Sequence, residues 1–341
     1  MSELVLIAVA GDDSICTLRL HRDPRPRLEL LARTSGLPGC GTFAVDPERA
    51  LVFAAYKGDP PGVATLSLNP ETGELSEVDR RPVAASMTYL SLAHSGTVLL
   101  GASYGGGLGV SWPVEAEQLG EPVSTISFAN LHCVVACRDG DAERAYFVSL
   151  GQDLVAQYLV EASGRLDALT PETVSVTPGC GPRHLIVEAD AGYLVTEYSG
   201  EVFRLARAGD GTLSVVQSVV VVDPGEDLAH SRLGADPTAE HLIWGADVHR
   251  AGDWLLTSER SSSKLASVPV RVGGELGEAD RFTPTQAQPR GFGVTGDGEF
   301  VVVVGERSQE AALSRLNPDG SLTLLDTATV GSGANWVRML S

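Results

Sequence analysis

The sequence predicts an all-β fold, a seven-bladed β-propeller with four antiparallel strands in each blade. Three observations predict it: a short apolar strand recurs at a nearly constant interval, turn residues recur at two places in each repeat, and no segment keeps a helical period. Units of about 47 residues with four short strands are typical of propeller blades. A chain of 341 residues holds about seven such units.

The recurring strand is a run of three apolar residues that follows a polar turn. Successive copies are separated by 47, 48, 47, 61 and 46 residues, and they begin at Leu51, Val98, Tyr146, Tyr193, Trp254 and Phe300. The one long interval indicates an insertion at about residues 223–240. This segment is rich in Asp, Gly, Pro and His, which predicts a loop over one face of the propeller.

Two classes of turn separate the strands. Asp46-Pro47-Glu48 and Gly296-Asp297-Gly298 precede a repeated strand, whereas Asn69-Pro70-Glu71-Thr72-Gly73 and Asn317-Pro318-Asp319-Gly320 fall later in their units. Asp, Asn, Gly and Pro in such clusters are typical of turns between strands. The glycine-rich stretch Tyr104–Gly109 superficially resembles a phosphate loop, but it lacks the Lys-Ser/Thr ending and a following helix, so we predict a tight turn there.

The two ends of the chain are expected to share one blade. Residues 4–9 form a predicted strand about one period upstream of Leu51, and residues 335–339 have no blade of their own. Pairing these ends closes the ring and removes exposed sheet edges. We therefore predict a single propeller domain over residues 1–341.

Composition argues against several classes of partner. The chain has 44 acidic and 25 basic residues and a net charge of −19, which repels nucleic acid and anionic membrane surfaces. The apolar run at residues 4–10 is too short to span a membrane and lacks the preceding positive charge of a secretion signal. The odd, scattered set of five cysteines predicts reduced thiols in a cytoplasmic protein, with no metal site and no cofactor.

Four polar segments break the repeat, and each lies just before the first strand of its blade: residues 130–132, 179–185, 245–249 and 288–292. There the chain of a propeller enters beside the central channel, so these segments should converge on one end of it. Their basic and histidine side chains would surround one concave anion site, and they are His132, Arg183, His184, His249 and Arg290. An arginine fork binds a carboxylate or phosphate through two hydrogen bonds.

Carboxylates accompany these donors. Glu197 and the Glu259-Arg260 pair follow in the same blades, and Asp247 shares a strand face with His249. Structural roles are also open: an arginine that donates to loop carbonyls, a His184 that is buried on the opposite face from Arg183, and an Asp247 that hydrogen-bonds between blades.

At these segments the sequence resembles the lactonase family of seven-bladed propellers over essentially its whole length. The most specific matches are Gly181-Pro182-Arg183-His184, Ala246-Asp247-Val248-His249 with Glu259-Arg260 downstream, residues 283–285 leading to Gln288-Pro289-Arg290-Gly291-Phe292, and the closing segment 330–337. The chain departs from the family at Leu131-His132-Cys133, where members tend to have Cys-His-Ser, and at Gly333-Ala334-Asn335-Trp336, where they have Gly-Pro-x-Trp.

The resemblance implies a set of site residues. The family's catalytic positions match His132, Arg183, Glu197 and Arg290. Around them, a substrate would contact a second set, which is His184, Asp247, His249, Glu259 and Arg260.

The resemblance also implies hydrolysis of a small anionic sugar-acid lactone, 6-phosphogluconolactone of the pentose phosphate route. A water activated by His132 or Glu197 would attack the ester carbonyl, while Arg183 and Arg290 bind the acidic group and stabilise developing charge. Two alternatives are an intramolecular lactonization of a carboxylated muconate and a non-catalytic propeller that binds a protein partner. Channel substitutions would abolish activity in an enzyme and be silent in a scaffold.

Overall fold

The computed structural model describes residues 3–340, which form seven antiparallel sheets. Six sheets have four strands, and one has an additional two-residue strand at its edge. The seven-bladed propeller predicted from the repeat is confirmed. We number the blades 1–7 in chain order, starting with the blade that contains the N-terminal strand.

Blade 1 closes the ring as predicted, because it combines both ends of the described chain. Its strands from the axis outward are β29 (Ala334–Leu340), β1 (Glu3–Val9), β2 (Ser14–His21) and β3 (Arg27–Ser35). The ladder between β1 and β29 aligns Leu6 with Arg338.

In blades 2–7 the chain runs from the innermost strand outward. Blade 2 contains β4 (Thr42–Asp46), β5 (Leu51–Tyr56), β6 (Gly62–Leu68) and β7 (Leu75–Pro82). Blade 3 contains β8 (Tyr89–Ala93), β9 (Val98–Ser103), β10 (Leu108–Glu115), β11 (Gln118–Leu119) and β12 (Ser124–Ser127). Blade 4 contains β13 (Leu131–Asp139), β14 (Ala142–Ser149), β15 (Leu154–Val160) and β16 (Leu166–Ser175).

The remaining blades have the same order. Blade 5 contains β17 (Pro182–Val187), β18 (Ala191–Thr196), β19 (Glu201–Arg207) and β20 (Leu213–Val220). Blade 6 contains β21 (Gly245–Ala251), β22 (Trp254–Glu259), β23 (Lys264–Pro269) and β24 (Arg281–Pro284). Blade 7 contains β25 (Gly291–Val294), β26 (Phe300–Val304), β27 (Glu310–Leu316) and β28 (Leu322–Thr329).

The core is divided among seven apolar clusters, one between each pair of adjacent blades. In β1, Leu4, Leu6 and Ala8 pack against blade 2, whereas alternate residues such as Val5 and Ile7 pack against blade 7. A strand that is covered on both faces needs apolar residues at every position. This explains the continuous apolar runs that recur in the sequence, which are the second strands from the axis.

Among residues 3–340, helical structure is confined to short connections. Three 3₁₀ turns occupy Ala10–Asp12, His94–Gly96 and Pro224–Glu226, and the α-helix α1 covers Pro237–Glu240. The last turn and α1 lie in the connection at residues 221–244, which joins β20 to β21 where the sequence indicated an insertion. Over residues 3–340, no helix has the length and apolar character needed to cross a bilayer.

Candidate active site

A cavity of about 640 Å³ opens at one end of the propeller axis. All seven blades line it, and the lining includes His132, Arg183, Glu197 and Arg290, the four residues assigned to catalysis from the sequence. The structure thus brings these four side chains together. The other lining residues are Gly41, Lys57, Ala85, Ser86, Met87, Thr88, Ser103, Tyr104, Gly105, Gly106, Trp244, Arg260 and Asn335.

Two positions of the repeat supply most of the polar lining. The first is the start of the innermost strand, where His132, Arg183, Arg290 and Asn335 lie. The second is the residue directly after the second strand, and it is occupied by Lys57, Tyr104, Glu197 and Arg260. Both positions face the same end of the channel, since neighbouring strands of a blade run in opposite directions.

β-Bulges direct three of these side chains. In β13 the register shifts between Leu131 and Cys133, and in β17 it shifts between Pro182 and His184. Each bulge therefore leaves one extra residue, His132 or Arg183, outside the regular ladder. A corresponding shift in β29 leaves out Asn335. Bulges re-aim side chains at the ends of strands, and here the re-aimed residues line the cavity.

Arg183, Glu197 and Arg260 form the charged centre of the site. Arg183 Nε donates to Glu197 Oε2 at 2.9 Å, and Arg260 Nη2 lies 3.0 Å from the same oxygen. Arg183 also donates through Nη1 to the Ala246 carbonyl oxygen. The Arg260 guanidinium stacks on Trp244, with 3.7 Å between its carbon and the ring centroid. One carboxylate is thus held between two fixed guanidinium groups.

Burial and mutual charge set the ionisation of this centre. Burial lowers the pKa of Arg183, and it lowers the pKa of Arg260 to about 9. Burial alone would raise the pKa of Glu197, but the charges of Arg260, Arg183 and Arg290 outweigh it and lower that pKa below its usual value. At neutral pH the centre therefore contains two cations and one carboxylate.

His132 lines the cavity as a neutral ring. Burial, followed by the positive charge of Arg183, lowers its pKa well below the ordinary histidine value. Its ring makes an edge contact with Tyr104, at 5.9 Å between centroids, and packs 5.1 Å from His184. Within residues 3–340, its Nδ1 is buried without a hydrogen-bond partner. The neutral ring is available to accept a proton from a group in the cavity.

His184 and Asp247 lie behind the cavity wall. His184 Nδ1 lies 2.7 Å from Asp247 Oδ1, and its Nε2 is 3.2 Å from Arg183 Nη1. Burial, and then the charge of Arg183, lowers the pKa of His184 to about 4. The neutral ring therefore donates to Asp247 and accepts from Arg183. The sequence placed His184 and Arg183 on opposite faces of a strand, and the bulge in β17 explains why they touch.

Asp247 links three blades. Besides His184 of blade 5, it contacts His249 Nε2 at 3.2 Å within blade 6 and accepts from the Phe292 backbone nitrogen of blade 7 at 3.4 Å. Burial alone would raise its pKa, but the two histidines lower it well below the usual aspartate value. His184, Asp247 and His249, which the sequence predicted to contact substrate, are thus absent from the cavity lining and bonded to one another behind it.

Glu259 is also absent from the cavity lining, whereas its neighbour Arg260 belongs to it. The Glu259 carboxylate accepts from the backbone nitrogens of Trp244, at 2.7 Å, and Ser262, at 2.6 Å. It therefore fixes the turn that carries Arg260 and the end of the 221–244 connection, which places the Trp244 ring beneath the guanidinium.

Arg290 and Lys57 complete the cationic lining. Arg290 Nη1 donates to Glu306 Oε1 at 2.9 Å, and about one third of the Arg290 side chain is exposed. Lys57 lies at the rim, after β5 of blade 2. Four cations and one carboxylate, Glu197, thus line the cavity, which favours an anionic ligand although the whole chain is acidic.

Sequence reasoning missed Lys57, Tyr104, Trp244 and Asn335 as lining residues. The repeat contained a signal for two of them, because Lys57 and Tyr104 occupy the same place in their blades as Glu197. Tyr104 belongs to the predicted tight turn between β9 and β10, and that turn also forms part of the wall. Among residues 3–340, no group of three His, Cys, Asp or Glu side chains is arranged to hold a metal ion.

Curated relatives and solved structures resemble the chain over its full length. It is 28% identical to the 6-phosphogluconolactonase of Sodalis glossinidius and 27% identical to that of Serratia proteamaculans, with all of both chains covered in each case. The periplasmic gluconolactonase PpgL of Pseudomonas aeruginosa superposes with a TM-score of 0.85 at 23% identity, covering 100% of this chain and 99% of that one. A Lactobacillus plantarum protein gives a TM-score of 0.86 at 19% identity, with both chains fully covered.

A family model gives the most general match. The model described as lactonase, 7-bladed β-propeller, matches residues 8–339, which include every strand from β2 to β28 and every polar residue of the cavity. The chain therefore belongs to the lactonase family of 7-bladed β-propellers.

Proposed function

We propose that this protein hydrolyses a sugar-acid lactone, 6-phosphogluconolactone, to 6-phosphogluconate. The observation that carries the proposal is the convergence of His132, Arg183, Glu197 and Arg290 on one cavity. Its volume of about 640 Å³ lies within the range of small-molecule sites. The names of the curated relatives support the same substrate and do not favour a muconate cycloisomerase or a non-catalytic scaffold.

His132 is the general base of this proposal. Its lowered pKa keeps it neutral at physiological pH, and with a proton on Nδ1 its Nε2 lone pair is free to accept the proton of an attacking water. Glu197 is a poorer base, because one of its oxygens already contacts both Arg183 and Arg260 and its pKa is lowered. Its role is to hold the two guanidinium groups in place.

The reaction then has two steps. The water oxygen bonds to the lactone carbonyl carbon as its proton passes to His132, and the carbonyl oxygen becomes an oxyanion next to the guanidinium groups of Arg183 and Arg260. In the second step the bond between the carbonyl carbon and the ring oxygen breaks, and protonated His132 returns the proton to that oxygen. The product carboxylic acid ionises, so each turnover releases one proton to the solution.

The test measures the hydrolysis rates of a panel of phosphorylated and unphosphorylated lactones. Proton release reports each rate, and the rate of spontaneous hydrolysis is subtracted. We expect the protein to accelerate hydrolysis of 6-phosphogluconolactone in proportion to enzyme concentration. Hydrolysis at the buffer rate for every lactone of the panel would refute the proposal.

We propose a cytoplasmic location as well. The five cysteines are free, and four of them are buried, which favours a reducing compartment. Fractionation of the source cells with an antibody to this chain tests the location, and recovery from the periplasm would contradict it.

A further inference from the structure

The two sides of the cavity differ in chemistry. Blades 4–7 supply an arginine wall, which consists of His132, Arg183, Glu197, Trp244, Arg260 and Arg290. Blades 2 and 3 supply a lysine wall, which consists of Lys57, residues 85–88 and residues 103–106. In a ring of seven blades, blades 2 and 3 lie across the axis from blades 5 and 6, so the two walls face each other.

Lys57 differs from the three arginines in having a free charge. Arg183 and Arg260 are paired with Glu197, and Arg290 is paired with Glu306. No ion pair among residues 3–340 includes Lys57. An anion can therefore bind its ammonium group without breaking an existing pair.

The chain uses lysine in only two places. Its basic residues are otherwise all arginine, and the second lysine, Lys264, is bound to Asp223, at 2.6 Å, and to Glu226. The stem of Lys57 packs on the loop that precedes β4, where a side chain at Gly39 would press against its Cδ and Cβ. Its backbone nitrogen also donates to the Pro38 carbonyl oxygen at 2.6 Å. The ammonium is thus carried by an anchored stem at the rim.

The rest of the lysine wall is uncharged. Ser103 Oγ donates to the Ser86 carbonyl oxygen at 2.8 Å and accepts from the Gly106 backbone nitrogen at 3.1 Å. A side chain at Gly106 would overlap Ala85, whereas one at Gly105 would meet open space. The turn is therefore seated directly on the 85–88 segment, and glycine leaves room for a ligand group in front of it.

We infer that the lysine wall is a subsite for the phosphate group of the substrate, with Lys57 as its cationic ligand. The inference rests on the proposed function and assigns a direction to the bound lactone: its phosphate lies against blades 2 and 3, and its carbonyl lies against the arginine wall. A lysine ammonium is a compact charge that suits a phosphate oxygen. Lys57 thereby determines specificity for phosphorylated over unphosphorylated lactones.

The kinetic test compares two substrates and three variants. Lys57→Met should lower kcat/KM for 6-phosphogluconolactone by about 10- to 100-fold, the worth of a hydrogen bond to a charged group. The same variant should leave kcat/KM for gluconolactone within about 2-fold, while Lys57→Arg should restore much of the loss on the phosphorylated substrate. Arg165→Met is the matched control, because it removes one exposed cation from the outer part of blade 4, and it should change neither substrate.

A binding test separates this inference from the proposed function. Reductive ¹³C-methylation labels Lys57, Lys264 and the α-amine, and Lys264→Arg assigns the signals in the spectrum. Titration with 6-phosphogluconate should shift the Lys57 resonance, whereas gluconate should not. The subsite is overturned if Lys57→Met lowers kcat/KM equally for both lactones. It is also overturned if 6-phosphogluconate leaves the Lys57 resonance unshifted. If the wild-type chain hydrolysed neither lactone, the proposed function would fail, and the titration would still decide whether Lys57 binds phosphate.

Discussion

The seven innermost strands fall into two groups. β4, β8 and β25 pair regularly with their neighbours over their whole length. β13, β17, β21 and β29 each contain a register shift near the end that faces the cavity. The extra residues of three of these shifts, His132, Arg183 and Asn335, line the cavity. The shift in β21 involves Ala246, whose carbonyl oxygen accepts from Arg183, and Asp247, which bonds to the His184 ring beside Arg183.

The regular and the bulged inner strands serve different purposes, packing between blades and placement of site residues. A regular inner strand alternates its side chains between the two neighbouring blades and so contributes to packing. A bulge adds a residue outside that alternation, and it also leaves backbone groups unpaired in the ladder. The Ala246 carbonyl oxygen is such a group, and it accepts from Arg183. His132 and Arg183 are therefore placed where the repeat is interrupted, whereas Glu197, Arg260 and Arg290 lie at regular positions of it.

Removing the carboxylate of the charged centre should have the largest effect. Glu197→Gln leaves Arg183 and Arg260 without their shared partner, so we expect kcat/KM for 6-phosphogluconolactone to fall by about 100- to 1000-fold. Unpaired buried charge also destabilises, by about 3–5 kcal/mol, so thermal unfolding must be measured on the same sample. Glu3→Gln is the control, since Glu3 is a buried partner of Arg22 outside the cavity. Equal activity in both variants would contradict the role of Glu197.

Substitution of His132 tests whether a residue in a bulge is the general base. His132→Gln should lower kcat/KM by about 100-fold. In the wild-type protein a lowered histidine pKa means that the base form persists as the pH falls. The acid limb of the kcat/KM profile should therefore lie below pH 6.5, the ordinary histidine value. An acid limb above that value, or a His132→Gln variant of normal activity, would exclude this base.

His184 tests the support behind the bulge in β17. Asn at this position keeps a donor for Asp247 but loses the acceptor for Arg183, whereas the longer Gln provides an acceptor where Nε2 lies. We expect His184→Asn to lower kcat by about 10-fold and His184→Gln to stay within about 3-fold of wild type. A loss of the same size in both variants would indicate a packing role only.

Thr42 and Asn335 give the smallest expected effects. They compare a regular inner strand directly with a bulged one. Each has a buried side-chain oxygen without a partner among residues 3–340, but Thr42 lies in the regular strand β4 and Asn335 in the bulge of β29. Asn335→Leu should lower kcat/KM by about 2- to 10-fold, because the cavity lining loses an amide that can donate to a ligand. Thr42→Val should leave activity unchanged and raise the free energy of unfolding by about 1 kcal/mol. Steady-state rates measure the activity of each variant, and denaturant titrations measure its stability. Lower activity in Thr42→Val with unchanged activity in Asn335→Leu would contradict the distinction between regular and bulged inner strands.

The sequence predicted the fold more completely than it predicted the site. Strands buried on both faces leave an apolar run at a regular interval, so the blade count and the closure of the ring could be read directly. The polar segments that break the repeat pointed to His132, Arg183 and Arg290, with Glu197 in the same blades, and the family resemblance assigned them catalytic roles. The structure brings all four together. A bulge leaves no such pattern, because strict alternation is the assumption behind reading a strand. For this reason the contact between Arg183 and His184 was missed.

Lys57 and Trp244 were missed for a different reason. Neither residue lies in a recognisable motif. Each lines the cavity because the end of its strand or connection lies there in the folded ring. Comparing the residue that follows the second strand of each blade would have found Lys57. Trp244 lies at the end of the 221–244 connection, whose path depends on contacts such as the bond from the Trp244 nitrogen to Glu259.

In the proposed mechanism, residues delivered by interrupted inner strands, His132 and Arg183, hydrolyse a lactone. The most direct measurement follows 6-phosphogluconolactone, generated in place from glucose 6-phosphate, by time-resolved NMR with the wild-type protein and with Arg183→Met. We predict rapid conversion to 6-phosphogluconate with the wild type and a rate at least about 100-fold lower with the variant. Conversion at the same rate in both samples, or at the rate of buffer alone in both, would contradict the account.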